Sequence, residues 1–172
     1  MSLKKIIRDV PDFPKQGIIF KDITPLLKDQ KAFRSAINKM AKHYKGKHID
    51  AIVAVESRGF IFAGALAAKM KTGFIPVRKP GKLPYKTISE TYQLEYGTDT
   101  LQIHEDAVKP GDKILIVDDL LATGGTVSAV VNMVKKLGGE IAGIGFLIEL
   151  AFLNGRSKLP GYDIFSEIVY KK

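Results

Sequence analysis

The chemistry-bearing residues of this chain are densest between Ile114 and Thr126, ILIVDDLLATGGT, where a run of apolar residues leads into two adjacent carboxylates and then a turn of small, hydroxyl-bearing and glycine residues. Buried and unpaired, Asp118 and Asp119 would repel each other or take up a proton, so they need donors. A vicinal diol supplies them, because each carboxylate accepts charge-assisted hydrogen bonds from ribose hydroxyls, and a divalent cation near the diol would reinforce the effect. Ala122, Thr123, Gly124, Gly125 and Thr126 then run into a predicted helix start. Successive backbone N–H groups converge there, glycines permit positive φ and close approach, and a phosphate fits. Acidic pair and loop together would hold a ribose 5-phosphate. The loop lacks the Lys of a Gly-x-x-x-x-Gly-Lys-Ser/Thr motif, which argues against a P-loop nucleotidase. Gly143-Ile-Gly145 imitates the start of a dinucleotide fingerprint, but Ile148 replaces its third glycine and the pair lies inside a predicted strand.

The elements that must position these residues are legible from periodicity. Phe33, Ile37, Met40, Ala41 and Tyr44 recur at helical spacing after Asp29, a suitable cap, and Gly46 closes that segment. Ala51 to Val55 reads as a strand, Glu56 to Gly59 as a polar turn, and Phe60 to Met70 as a helix of good helix formers. Phe74 to Val77 and Lys113 to Val117 read as further strands, the second ending where Asp118 emerges. Val127, Val130, Val131, Val134 and Leu137 mark one helical face stopped by Gly138-Gly139, and Glu140 to Leu150 reads as a buried strand. Alternation of helices with nearly all-apolar strands predicts an α/β fold, a parallel sheet with helices on both faces. Ligands of such sheets bind beyond the carboxyl ends of the strands, where both the Glu56–Gly59 and the Asp118–Thr126 segments fall. Residues 78–98, RKPGKLPYKTISETYQLEYGT, break the pattern and read as a mobile flap or hairpin.

Composition bounds these readings. The chain has 172 residues, 45% of them hydrophobic, enough for one sizeable core and a single domain over 1–172. No apolar run approaches a membrane span, and the start lacks the apolar stretch of a signal peptide, so a soluble cytoplasmic protein without a membrane partner is expected. With no Cys there is no disulfide, thiolate metal site or cysteine nucleophile. His43, His48 and His104 have no ligand spacing, so no zinc site is expected. The formal charge of +9 suits an anionic partner. Many lysines (Lys28, Lys31, Lys39, Lys42, Lys45, Lys47) lie on or beside one amphipathic helix and read as a solvated face, and no nucleic-acid motif accompanies them.

IVDDLLATGGT resembles the phosphoribosyl diphosphate motif of the type I phosphoribosyltransferases, in the wording of members that act on adenine. Further resemblances run in order along nearly the whole chain: DFPKQGIIFKDITPLL, ESRGFIFA, VRKPGKLP, LEYG and LIEL. What the resemblance implies is a type I phosphoribosyltransferase fold with a short N-terminal hood over about 1–28 and a flap over about 78–98. It implies transfer of the phosphoribosyl group from phosphoribosyl diphosphate to adenine, giving AMP and pyrophosphate, with Mg2+ held mainly through the substrate, in a cytosolic homodimer of purine salvage. In this reading Asp118, Asp119 and Ala122 to Thr126 hold ribose and 5-phosphate. Ser57, Arg58, Lys79 and Lys82 hold pyrophosphate, with Arg78 reaching a neighbouring subunit's site. Arg58 and Lys79 also assist catalysis, Glu95 handles the proton of the base, and a non-proline cis peptide is expected beside Ser57 and Arg58. Amides of the Ser57 turn can hold one phosphate group while the guanidinium forks onto another.

Adenine recognition falls to Ile19, Phe20 and Lys21. In an extended segment the C=O of Ile19 and the N–H of Lys21 face one side and match the N1 acceptor and 6-amino donor of adenine, while Phe20 lies against the ring. Taken alone, Gly17 to Phe20 would read as an edge strand on the core. Two other functions compete: a phosphoribosyltransferase for a 6-oxopurine, and a nucleic-acid-binding regulator that keeps the phosphoribosyl site as a sensor. The second would need a DNA-reading element for which this chain leaves little room.

Overall fold

The computed structural model describes residues 2–94 and 97–172. The chain forms two compact units, Met1–Lys39 and Met40–Lys172, whose boundary falls inside a helix. In the first unit, β1 (Arg8–Pro11) and β2 (Ile19–Asp22) pair antiparallel, with Asp9 opposite Lys21. The turn between them is shaped by Gly17 at φ +85, whose N–H donates to Asp12 Oδ1 at 2.7 Å. Helix α1 (Thr24–Lys28) starts with Pro25 in its first turn, where a missing N–H costs nothing. Asp29 then caps α2 (Gln30–His43) as its position predicts, accepting from the Ala32 N–H at 2.9 Å.

The second unit is built on a five-stranded sheet in the order β4-β3-β7-β8-β9, every neighbouring pair parallel. Its strands are β3 (Ala51–Val55), β4 (Gly73–Val77), β7 (Lys113–Leu121), β8 (Glu140–Leu150) and β9 (Ile164–Tyr170), linked by α3 (Arg58–Met70) and α4 (Gly125–Lys136). Val53, Val55, Ile114, Ile116, Ile144 and Phe146 form one core with the valines of α4. On the opposite parity, Gly143 stands beside Leu115 and Gly145 beside Val117. These two glycines admit Tyr44 and Met40 from the end of α2: a Cβ at Gly143 would lie 2.4 Å from Tyr44 Cε1. The Gly-Ile-Gly of the sequence is therefore a packing recess, and Tyr44 is anchored in it by donating to the Ile144 carbonyl at 2.7 Å.

The main departures from the sequence reading are two boundaries and one strand. β7 does not stop at Val117 but runs to Leu121, because its partner β8 continues alongside it after the pairing with β3 ends at Ala54–Val117. The flap is a hairpin of β5 (Thr87–Gln93) and β6 (Thr98–His104), so it extends six residues past 98. Its buried Leu101 and Ile103 join the core beneath α4, and Glu90 of β5 accepts from Asn132 of α4 at 3.0 Å. β9, on the far edge of the sheet, carried no periodic signal strong enough to predict.

Candidate active site

The carboxyl edge of the sheet opens into a cavity of about 360 Å³ lined by the turn after β3, the end of β7 and the loop before α4. Two helices begin there. Ser57 and Arg58 stand at the start of α3, and Gly124, Gly125 and Thr126 at the start of α4, so the positive ends of two helix dipoles share one cavity. Between them lie Asp118 and Asp119.

Local sequence explains each approach. Gly59 leaves room for the acidic pair, since a Cβ there would meet Asp118 Oδ1 at 2.8 Å. The Glu56–Ser57 peptide is cis, one bond before the Ser57–Arg58 pair. Gly124 adopts φ +83, a conformation that favours glycine, and Gly125 lets β5 pass close by, with Tyr92 Cδ2 at 3.3 Å from where a Cβ would stand.

Burial pushes the Asp118 carboxyl well above the usual carboxylate range, and the charge of Asp119 pushes it further. Asp119 is also raised by burial, against which the Arg58 guanidinium acts, its Nε 2.9 Å from Asp119 Oδ2. Asp118 Oδ1 accepts from the Asp119 N–H at 2.8 Å and Arg58 pairs with Asp119, yet burial still holds both carboxyls above their ordinary range. Opposite, Glu56 is held below its ordinary range by the Lys79 N–H at 2.7 Å and the Arg78 guanidinium at 3.2 Å.

The cavity brings together Ser57, Arg58, Lys79, Asp118, Asp119 and all of Ala122 to Thr126. Arg78 and Lys82 are not among its lining residues; Arg78 pairs with Glu56 of its own chain. Glu95 lies outside the described residues. Ile19, Phe20 and Lys21 belong to the first unit, where Lys21 Nζ pairs with Asp9 at 2.7 Å and the Phe20 ring meets Phe13 edge-on at 5.1 Å. The Ile18 carbonyl accepts from the Phe13 N–H. In an extended segment the main-chain groups of Ile19 and Lys21 therefore alternate to the other edge of β2.

Sequence reasoning missed three polar residues of the site. Asp99 pairs with Lys79, and Tyr92 lies opposite Asp99 across the hairpin, its hydroxyl donating to Asp99 at 3.3 Å and accepting from Thr126 Oγ1 at 3.3 Å. Glu56 fixes the loop that carries Lys79. The period-two pattern of the flap held a signal for Tyr92 and Asp99, but only the register of β5 on β6 sets them side by side.

A parallel sheet whose carboxyl edge carries an acidic pair between two helix-start loops is the arrangement of a type I phosphoribosyltransferase fold. The family model described as the phosphoribosyl transferase domain matches residues 25–168. The adenine phosphoribosyltransferase of Halothermothrix orenii is 63% identical over 166 residues, covering 96% of this chain and 98% of its own length. The crystal structure of adenine phosphoribosyltransferase from Thermoanaerobacter pseudethanolicus superposes with a TM-score of 0.95 at 57% identity, covering 98% of each chain. That of the Saccharomyces cerevisiae enzyme, complexed with an imino-altritol bisphosphate and adenine, gives 0.90 at 38% identity over 96% of each chain. The chain belongs to the adenine phosphoribosyltransferase family.

Proposed function

We propose that this protein transfers the 5-phosphoribosyl group from phosphoribosyl diphosphate to adenine, releasing pyrophosphate and AMP as a step of purine salvage in the cytoplasm. The observation that carries this is the cavity itself, in which a buried acidic pair lies between two helix starts in a chain of this family. The C1–oxygen bond to pyrophosphate breaks as the bond to adenine forms, C1 passes through a cationic state, and negative charge grows on the leaving group. Asp118 and Asp119 take the ribose hydroxyls, Ala122 to Thr126 the 5-phosphate, and Ser57, Arg58 and Lys79 the pyrophosphate. Lys82 and, from a neighbouring subunit, Arg78 add positive charge at the pyrophosphate, and Glu95 handles the proton lost by the base.

Among the described residues no three His, Cys, Asp or Glu side chains converge to hold a cation. Magnesium held mainly through the substrate would neutralise charge on the leaving group. No helix among the described residues is long and apolar enough to cross a membrane. Ile61 of α3 and Phe74 of the edge strand β4, both exposed, with Phe60 edge-on to Phe74 at 5.3 Å, give a homodimer an apolar surface to bury. Light scattering reports that dimer.

Adenine is read by main-chain atoms, the Ile19 C=O and the Lys21 N–H, with Phe20 against the ring. A 6-oxopurine presents the opposite donor–acceptor order and would leave both groups unpaired. Titration of folded variants tests this. Lys21→Ala keeps the preference for adenine, and Lys21→Pro, which removes the N–H, loses adenine affinity selectively. Unchanged adenine binding in Lys21→Pro refutes the main-chain reading.

A further inference from the structure

The LIEL segment holds a buried carboxylate, Glu149, which the proposed chemistry does not use. Glu149 is the penultimate residue of β8 and lies in register with Leu121, the last residue of β7 before the phosphate loop, on one side and with Val169 of β9 on the other. Beyond Leu150 the chain turns back through two short 3₁₀ turns, Ala151–Leu153 and Gly155–Lys158, with Asn154 left-handed between them. Arg156 reaches from that turn to Glu149 as a two-pronged fork, Nε to Oε1 at 2.8 Å and Nη2 to Oε2 at 2.7 Å. Its Nη1 also donates to the Ile164 carbonyl at 3.4 Å and its Nη2 to Ser166 Oγ at 3.4 Å. The fork fixes the turn in direction as well as distance, which a lysine would not.

What the turn presents is Gly155. A Cβ on Gly155 would stand 2.3 Å from the Ala122 carbonyl oxygen, 2.9 Å from Leu121 Cδ1 and 3.2 Å from the Gly124 nitrogen. A Cβ on Gly124 would stand 2.6 Å from the Gly155 carbonyl oxygen. The two backbones are pressed together with no side chain between them, on the part of the phosphate loop whose N–H groups must keep their aim.

We propose that Glu149 and Arg156 are positioning residues for the 5-phosphate, acting through Gly155, whose backbone buttresses Ala122 to Gly124. The inference rests on the assignment of Ala122 to Thr126 to that phosphate. A buttress of this kind acts on one end of the cavity and leaves the pyrophosphate loop after β3 untouched, so its loss separates the two anion subsites.

The test is calorimetric titration of the intact protein with ribose 5-phosphate and, separately, with magnesium pyrophosphate. Gly155→Ala pushes the loop and weakens ribose 5-phosphate about tenfold while leaving pyrophosphate within about twofold, since misplacements of this size act locally. Arg156→Lys keeps the charge and loses the fork, and weakens ribose 5-phosphate about threefold with the same selectivity. Unchanged ribose 5-phosphate affinity in Gly155→Ala, or an equal loss for both ligands, overturns the proposal. Should Gly155→Ala lack a cooperative melt, Arg156→Lys decides by the same criteria. Thr126→Val keeps the two ideas apart. If it binds ribose 5-phosphate as tightly as the unmodified protein, the loop assignment fails; if it weakens binding and Gly155→Ala does not, the assignment stands and the buttress alone is wrong.

Discussion

The turns after β3 and β7 are both strand-to-helix connections at the same sheet edge, yet they are equipped differently. The first stops its strand at Val55 and offers Arg58, with Lys79 brought in from beyond β4. The second carries no cation between Ala122 and Thr126 and relies on backbone, hydroxyls and glycines backed by Gly155. On the proposed assignment of pyrophosphate to the first loop and 5-phosphate to the second, the difference follows from what each anion does during the reaction. Charge on a 5-phosphate is the same before and at the transition state, so contacts to it give uniform binding and act on KM. Charge on pyrophosphate grows as its bond breaks, so fixed cations there act on kcat. Shared helix N-termini thus do not make the subsites equivalent.

The largest expected effect comes from removing the cation of the first loop. Arg58→Ala lowers kcat about 100- to 1,000-fold, the range for loss of one transition-state donor. It also strips Asp119 of its partner at 2.9 Å. Steady-state kinetics on folded protein check it, and a loss confined to KM would break the distinction between the loops.

Between the loops, Asp118→Asn and Asp119→Asn each reduce kcat/KM about 10- to 100-fold, from hydrogen bonds to a charged group worth about 1.5–3 kcal/mol. Asp118→Asn has a second consequence. Burial raises its carboxyl pKa, so the folded protein holds that proton more tightly than the unfolded chain does. The contribution to stability is full below the ordinary carboxylate pKa and is lost as pH rises through the raised value. The ligand-free Asp118→Asn protein therefore melts higher than the unmodified one at neutral pH, and the gap closes on acidification. Calorimetric melts of both proteins across that range check it; a lower melting temperature for the variant at neutral pH contradicts the sign.

Much of this was legible in the sequence because it depended on short-range order. The apolar runs of β3, β7 and β8, the Asp29 cap and the Asp-Asp-to-Thr-Gly-Gly-Thr progression each follow from a local pattern. What escaped was set by register. Nothing near Val117 announces that β8 will carry β7 four residues further, and nothing near Asp99 announces Lys79 or Tyr92. Gly155 reads as an ordinary turn glycine until Gly124 is seen against it.

Smaller effects sharpen the comparison. Thr126→Val raises KM for phosphoribosyl diphosphate about fivefold with kcat little changed, the worth of roughly one neutral hydrogen bond. Equal loss of kcat would assign Thr126 a share in the transition state. Asp99→Asn releases Lys79 from its partly buried partner and tightens pyrophosphate about twofold, an ion pair open to solvent on the lysine side being worth about 1 kcal/mol or less. Titration with magnesium pyrophosphate reads that change, and weaker binding would show Asp99 helping the ligand rather than competing with it.

The central claim, that this cavity moves a phosphoribosyl group to adenine, is tested most directly by product analysis with phosphoribosyl diphosphate, magnesium and an equimolar mixture of adenine, hypoxanthine and guanine. The account predicts AMP and pyrophosphate in equal amounts, with 6-oxopurine nucleotides below about one part in a thousand, given a site built on paired hydrogen bonds. Comparable formation of a 6-oxopurine nucleotide, or release of pyrophosphate without any nucleotide, would contradict it.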